Sequence, residues 1–213
     1  MRLSHEYKFI FFANPKTGSE SVRKILDPYS NVCATTFRNR SQENPFYSHI
    51  TPVETRDIFF RLGWDFDSYH KFCFVRNPWA KIVSLYKMIF AKSIIKPRFN
   101  RWIYEIEPNG IGGGGDDADR WRKYGAYSIE NYVSDESGSF LVDKIIKLED
   151  IHTQLIPLLE KIGIPKASSL SIPNLNSSSV HKKYSTYYNK KSMLHVKRLY
   201  KYEIEKFDYY FEN

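Results

Sequence analysis

Cysteine is nearly absent: Cys33 and Cys73 are the only two in 213 residues. Neither lies in a CxxC pair or beside histidines, which argues against a disulfide framework and against a structural zinc site. Cys73 falls inside an apolar run and reads as a small core residue. Long apolar runs are lacking as well. The early one, Phe9–Ala13, is too short for the h-region of a signal peptide, and no stretch approaches the roughly 20 residues of a membrane span. A soluble, cytoplasmic protein is therefore expected. There is no internal repeat at solenoid spacing.

Aromatic residues and positive charge are plentiful by contrast. The 16 Tyr, 15 Phe and 4 Trp bring enough apolar area for one packed core at this length. A formal charge of +8 favours anionic partners: nucleotides, nucleic acid, acidic glycans or membrane headgroups. Charge alone favours the plainer reading, a well-solvated surface.

Tyr7–Ala13 is a nearly continuous β-prone run, the pattern of a buried parallel strand. It breaks at Asn14-Pro15-Lys16-Thr17-Gly18-Ser19. Helical spacing follows in Val22, Ile25 and Leu26, with Ser19 the expected N-cap. Residues 27–48 are polar and irregular, and no element is assigned there. Thr51-Pro52-Val53-Glu54 opens a helix with a cap, a first-turn proline and an acid facing the dipole. Its apolar side is Val53, Ile58, Phe59 and Leu62, and Gly63 stops it.

Tyr69–Val75 predicts a second strand, and Asn77-Pro78 starts the next helix, with Ile82, Val83, Leu85, Tyr86 and Ile89 on its buried side. Strand–turn–helix has now occurred twice, which indicates α/β architecture with parallel strands. Val142–Leu148 is the third expected strand, with a helix to about Ile162. Ser128–Val133 reads as a short helix, residues 172–177 as an extended loop, and Lys190–Phe207 as a closing helix. In that helix Val196, Leu199, Tyr200, Ile204 and Phe207 mark one side. The expectation is a single domain over 1–213 with a mobile insert at about 92–125, which includes the glycine run at 110–115.

Two turns suit anions. In Pro15–Ser21 a helix N-terminus offers backbone N–H groups and partial positive charge. Gly18 permits close backbone approach, Lys16 adds a full charge, and Thr17, Ser19 and Ser21 add hydroxyls. An ordinary capped strand–helix turn would also have this sequence. The spacing is not that of a Walker loop, which needs Gly-Lys-Ser/Thr after four residues. At the second turn Arg76 leaves a strand at its carboxyl end, where ligands bind in open α/β sheets. Ser84, eight residues on, could meet the same anion, although a strand-end arginine can equally serve as a structural ion-pair partner. Two such turns suit a ligand with two separated phosphate groups.

The segment Phe9–Ser19 resembles the 5′-phosphosulfate loop of sulfotransferases that use 3′-phosphoadenosine 5′-phosphosulfate (PAPS). Phe74-Val75-Arg76-Asn77-Pro78-Trp79-Ala80-Lys81-Ile82-Val83-Ser84-Leu85-Tyr86 is similar to their 3′-phosphate motif, most closely in the carbohydrate-type, family 2 branch. Ser48-His49-Ile50-Thr51 resembles that branch's His-x-Thr segment. Lys147-Leu148-Glu149-Asp150, Asn174-Leu175-Asn176-Ser177 and the Tyr-rich closing helix are similar to later landmarks. The resemblance implies a P-loop-NTPase-like three-layer fold with a central parallel sheet flanked by helices. It also implies transfer of a sulfuryl group from PAPS to a hydroxyl or amine of a carbohydrate or small metabolite, with 3′,5′-adenosine bisphosphate (PAP) as product and no metal. Lys16, Thr17, Gly18, Ser19 and Ser21 would then hold the 5′-phosphosulfate, and Arg76 and Ser84 the 3′-phosphate. Lys182, Lys183 and Tyr184 lie where the family often supplies further cofactor contacts, although a solvated lysine pair is an equal reading. Two departures are Glu20, where Thr or Ser is common, and Lys81 in place of the more usual Arg.

On this resemblance Lys16 stabilises the leaving phosphate oxygen, and His49 is the candidate base for the acceptor proton. The competing role for His49 is to cap the helix near Pro52. Glu54 could orient the base or the acceptor. Acceptor contacts are expected from residues 30–48 and 92–125, which hold Arg38, Arg40, Arg98, Arg101, Trp102, Trp121 and Arg122. Two other readings stay open. A P-loop-like small-metabolite kinase would share the strand–turn–helix but needs Gly-Lys-Ser/Thr and a magnesium ligand. A basic nucleic-acid module would use the charge and tyrosines, but the aromatics near the C-terminus repeat at helical spacing, which favours core packing and no nucleic acid.

Overall fold

Four aromatic and aliphatic residues, Phe9–Phe12, are all fully buried in one strand, and the rest of the sheet is built outward from it. The computed structural model of the chain describes residues 1–108, 123–172 and 183–212. The glycine run, residues 173–177 of the expected loop, Trp121, Arg122 and Lys182 lie outside the described residues. The chain divides into two compact units, Met1–Val75 with Tyr132–Ser177, and Arg76–Asn131 with Ser178–Asn213.

The first unit holds a five-stranded sheet flanked by helices. Its strands are β1 (Arg2–Ser4), β2 (Phe9–Phe12), β3 (Val32–Cys33), β4 (His70–Val75) and β5 (Lys144–Lys147), in the order β3-β1-β2-β4-β5. The inner pairs β2–β4 and β4–β5 are parallel. The expected purely parallel sheet is corrected at the other edge, where β1 runs antiparallel to both β2 and β3. The reason is geometric. Only residues 5–8 join β1 to β2, and a connection that short can return a strand only antiparallel, since a parallel partner needs a crossover of a dozen residues or more.

The register sets Phe11 beside Phe72 and Phe74 beside Ile146. Because side chains alternate along a strand, Phe9, Phe11, Phe72, Phe74 and Ile146 share one face. They form a single core cluster with Val22, Ile25 and Leu26 of α1 (Ser19–Leu26) and with Ile151, Leu155, Leu158 and Leu159 of α6 (Ile151–Ile162). A second aromatic group gathers around Phe59 of α2 (Pro52–Leu62). The rings of Phe46, Trp64, Phe66 and Tyr69 lie 5.2–6.3 Å from it. Leu62, expected on the apolar side of α2, is 43% exposed instead, since Thr55 rather than Leu62 joins Ile58 and Phe59 on the buried side.

In the second unit α3 (Pro78–Ile89) begins where the sequence predicts, with Asn77 Oδ1 accepting from the N–H groups of Trp79 (3.1 Å) and Ala80 (3.3 Å). Within the expected insert, α4 (Phe99–Trp102) buries Phe99 and Trp102. A short helix, α5 (Ile129–Val133), begins in this unit as expected. The single closing helix is corrected to two, α7 (Lys190–Leu199) and α8 (Lys201–Lys206). The break falls at Tyr200, whose buried ring is tied by its hydroxyl to the Ala126 carbonyl.

A charge pair lies inside this unit. Lys81 is 1% exposed, its Nζ donates to the Tyr127 carbonyl and sits 5.5 Å from the Tyr200 ring centre. Glu203 is fully buried and accepts from the Ile129 N–H. Burial pushes the Glu203 carboxyl up from its ordinary range, and the Lys81 cation opposes that shift. Lys81→Met leaves the carboxylate without its opposite charge, so a loss of about 3–5 kcal/mol is expected in urea denaturation near neutral pH. The sign with pH follows from the raised folded value. The folded state holds the proton more tightly, so this group's effect on stability worsens as pH rises from the ordinary carboxylate range through the folded value. The deficit of the variant is therefore expected to shrink toward acid pH. A deficit equal at pH 4 and pH 8 would show that charge is not its cause.

Candidate active site

The turn after β2 is built from backbone conformations that few residues adopt. Lys16 (φ 63°) and Gly18 (φ 74°) both stand in the left-handed region. For a lysine this costs roughly 1–2 kcal/mol, a strain of the kind that collects at functional sites. Gly18 also lets the turn sit close to the strand beyond, since a β-carbon there would lie 2.5 Å from Leu148 Cδ1, just past β5, and the end of that leucine would have to turn aside. Gly18 is also the N-cap of α1, which corrects the expected cap at Ser19. Serine avoids the left-handed conformation this position requires, and it occupies the first helical residue instead. The glycine cap supplies no side-chain hydrogen bond.

Two side chains pin the turn to the sheet. Asn14 is fully buried, and its Nδ2 donates to the Phe74 carbonyl at 3.3 Å, which joins the ends of β2 and β4. Its Oδ1 is buried with no hydrogen-bond partner among the described residues. Thr17 is also fully buried, and its hydroxyl donates back to the Asn14 carbonyl at 2.8 Å. That hydroxyl hydrogen thus closes the turn. Ser19 is buried, Lys16 and Ser21 are half-buried, and Glu20 is exposed in the first turn of α1, where an acid meets the helix dipole favourably.

His49 stands beside this turn. Its Nδ1 lies 2.6 Å from the Ala13 carbonyl. A carbonyl only accepts, so Nδ1 carries a hydrogen, and in the neutral ring the lone pair is then on Nε2. The capping role weighed for His49 belongs to Thr51, whose side chain accepts from the Glu54 N–H at 3.2 Å while Glu54 Oε2 accepts from the Thr51 N–H at 3.0 Å. Both Glu54 oxygens also accept from the Tyr47 hydroxyl at 2.7 Å. Glu54 therefore holds the helix start and Tyr47. Lys16, Gly18 and His49 are brought together in the first unit by one strand end.

Arg76 and Ser84 belong to the second unit. Arg76 is half-buried just ahead of Asn77, and Ser84 is half-buried within α3. Lys183 is exposed. Tyr184 opens a short 3-10 turn, and its hydroxyl accepts from the Glu212 N–H at 2.7 Å. Sequence reasoning missed Asn14 as the link between two strand ends and Leu148 as the wall behind Gly18. The first had a signal, an Asn-Pro step directly after a buried strand; the second had none, because it depends on the pairing of β5. Among the described residues no group of three or more His, Cys, Asp or Glu could hold a metal ion, and no helix is long and apolar enough to cross a membrane.

No protein-family model and no solved structure matches the chain. An uncharacterized protein of Archaeoglobus fulgidus is 31% identical over 109 residues, which make up 50% of this chain and 78% of that protein. At that identity and coverage, the chain belongs to one family with the archaeal protein.

Proposed function

We propose that the chain is a PAPS-dependent sulfotransferase acting on a hydroxyl or amine of a carbohydrate or small metabolite. The observation that supports this best is the Nδ1 contact of His49 with the Ala13 carbonyl, three residues ahead of Lys16. A lone-pair-bearing imidazole nitrogen and a cation then flank one turn that opens a helix. In this reading the β2–turn–α1 unit works as a P-loop-like element within a three-layer fold.

The acceptor oxygen or nitrogen attacks sulfur, and the bond between sulfur and the 5′-phosphate oxygen breaks. His49 Nε2 takes the acceptor proton. Negative charge gathers on the released phosphate oxygen, where Lys16 and the N–H groups of the α1 start stabilise it. Gly18, Ser19 and Ser21 form the rest of the 5′-phosphosulfate cradle, and Thr17 joins it through its backbone, since its hydroxyl hydrogen is held by the Asn14 carbonyl. Arg76 and Ser84 hold the 3′-phosphate, with Lys182, Lys183 and Tyr184 as further donor contacts. PAPS and PAP are the nucleotides, and the transfer needs no metal.

Thermal-shift measurements test the proposal. PAP without magnesium is expected to raise the melting temperature, as binding to the native state alone must. A rise only with ATP and magnesium would favour a small-metabolite kinase, and a rise only with oligonucleotides a nucleic-acid module. Either result would overturn the sulfotransferase reading.

A further inference from the structure

Ile94 and Ile95, in the second unit, are 101% and 88% exposed, and the proposed transfer makes no use of them. They stand at the tip of a segment that also exposes Lys92, Lys96, Arg98 and Arg101. From residue 91 to residue 104 the sequence has no acidic residue.

The base of the segment is firmly built. The Tyr86 hydroxyl donates to the Pro97 carbonyl at 2.6 Å. Buried Phe99 and Trp102 each pack 5.3 Å from the Tyr86 ring, and Phe90 lies 6.0 Å from Trp102. This aromatic group closes without the two isoleucines, so the core of the unit does not need them.

We infer that the segment around Ile94 and Ile95 is a docking tip for the surface of a bilayer rich in anionic lipid. Four cations draw it to acidic headgroups, and two protruding aliphatic side chains enter the boundary between headgroups and acyl chains. Lysine and arginine stems can reach outward to keep their charges in the headgroup layer. Two isoleucines fall well short of the roughly 800 Å² per partner of a standard protein interface. A nucleic acid would reward the charges but gain nothing from an aliphatic pair. This inference does not depend on the sulfotransferase reading.

Co-sedimentation of the full chain with vesicles tests it. Binding to mixed phosphatidylcholine–phosphatidylserine vesicles is expected to exceed binding to phosphatidylcholine alone by about tenfold or more, and to fall in high salt. The Ile94→Ser/Ile95→Ser double variant is expected to lose about tenfold of that binding with an unchanged melting temperature. In an Ile95→Trp variant, emission is expected to shift to the blue on the mixed vesicles relative to wild type. Absence of vesicle binding, equal binding by the double variant, or light scattering that shows an isoleucine-dependent dimer would each overturn the inference.

Discussion

Sulfuryl transfer by a Lys16→Ala protein is expected to run about 10²–10³-fold below wild type, the range seen when one donor to a developing oxyanion is removed. The measurement is transfer of labelled sulfate from PAPS to a panel of glycans and small alcohols. Alanine keeps the left-handed strain at position 16 and removes the charge together with the aliphatic stem that carries it. Lys16→Gly supplies the control. Glycine relieves the roughly 1–2 kcal/mol left-handed cost and gives back about 0.5–1 kcal/mol through its freer unfolded chain. The glycine variant is therefore expected to be at least as stable as wild type and equally deficient in transfer. Two stable variants with full transfer would remove Lys16 from the mechanism.

His49→Asn is expected to lower transfer by about 10²–10⁴-fold, the usual contribution of a positioned general base. The asparagine amide can still donate to the Ala13 carbonyl, so the turn keeps its neighbour and PAP is expected to bind as before. What disappears is the lone pair of Nε2. The acid limb of the rate–pH profile is expected to vanish with it, a change that a merely structural histidine would not produce. If His49→Asn retained both the rate and the limb, the base would have to be sought elsewhere. Thr51 and Glu54 already complete the cap of α2, so loss of that cap could not explain a fall in rate.

The longer helices and the inner strands were legible in the sequence because each has its own local signal, whereas α4 was not foreseen within the expected insert. Phe9–Phe12 and His70–Val75 are apolar runs, and α2 announces itself through Thr51, Pro52 and Glu54. The edge was not legible. Arg2–Ser4 and Val32–Cys33 are strands of three and two residues, too short for a period of two to register. Their pairing comes from the sheet beside them. The break at Tyr200 was hidden for a similar reason, since Val196, Tyr200 and Ile204 keep helical spacing through it.

At the candidate site, Lys16 and Gly18 stood out by residue type. His49 could be proposed from its neighbours in sequence, but its partner could not. A hydrogen bond to the Ala13 carbonyl spans 36 residues of separation and leaves no mark in the order of amino acids. The tautomer of the imidazole follows from that bond alone, and so became readable only in three dimensions.

The contact between Gly18 and Leu148 also constrains how this family can diverge. A β-carbon at position 18 would meet Leu148 Cδ1 at 2.5 Å, so the end of the leucine must turn aside for any side chain there. Room alone does not free the position, because a φ of 74° strains any L side chain at 18 whatever stands at 148. Two constraints therefore act on position 18, one in its own backbone and one set 130 positions away, and only the second can yield to a change at 148.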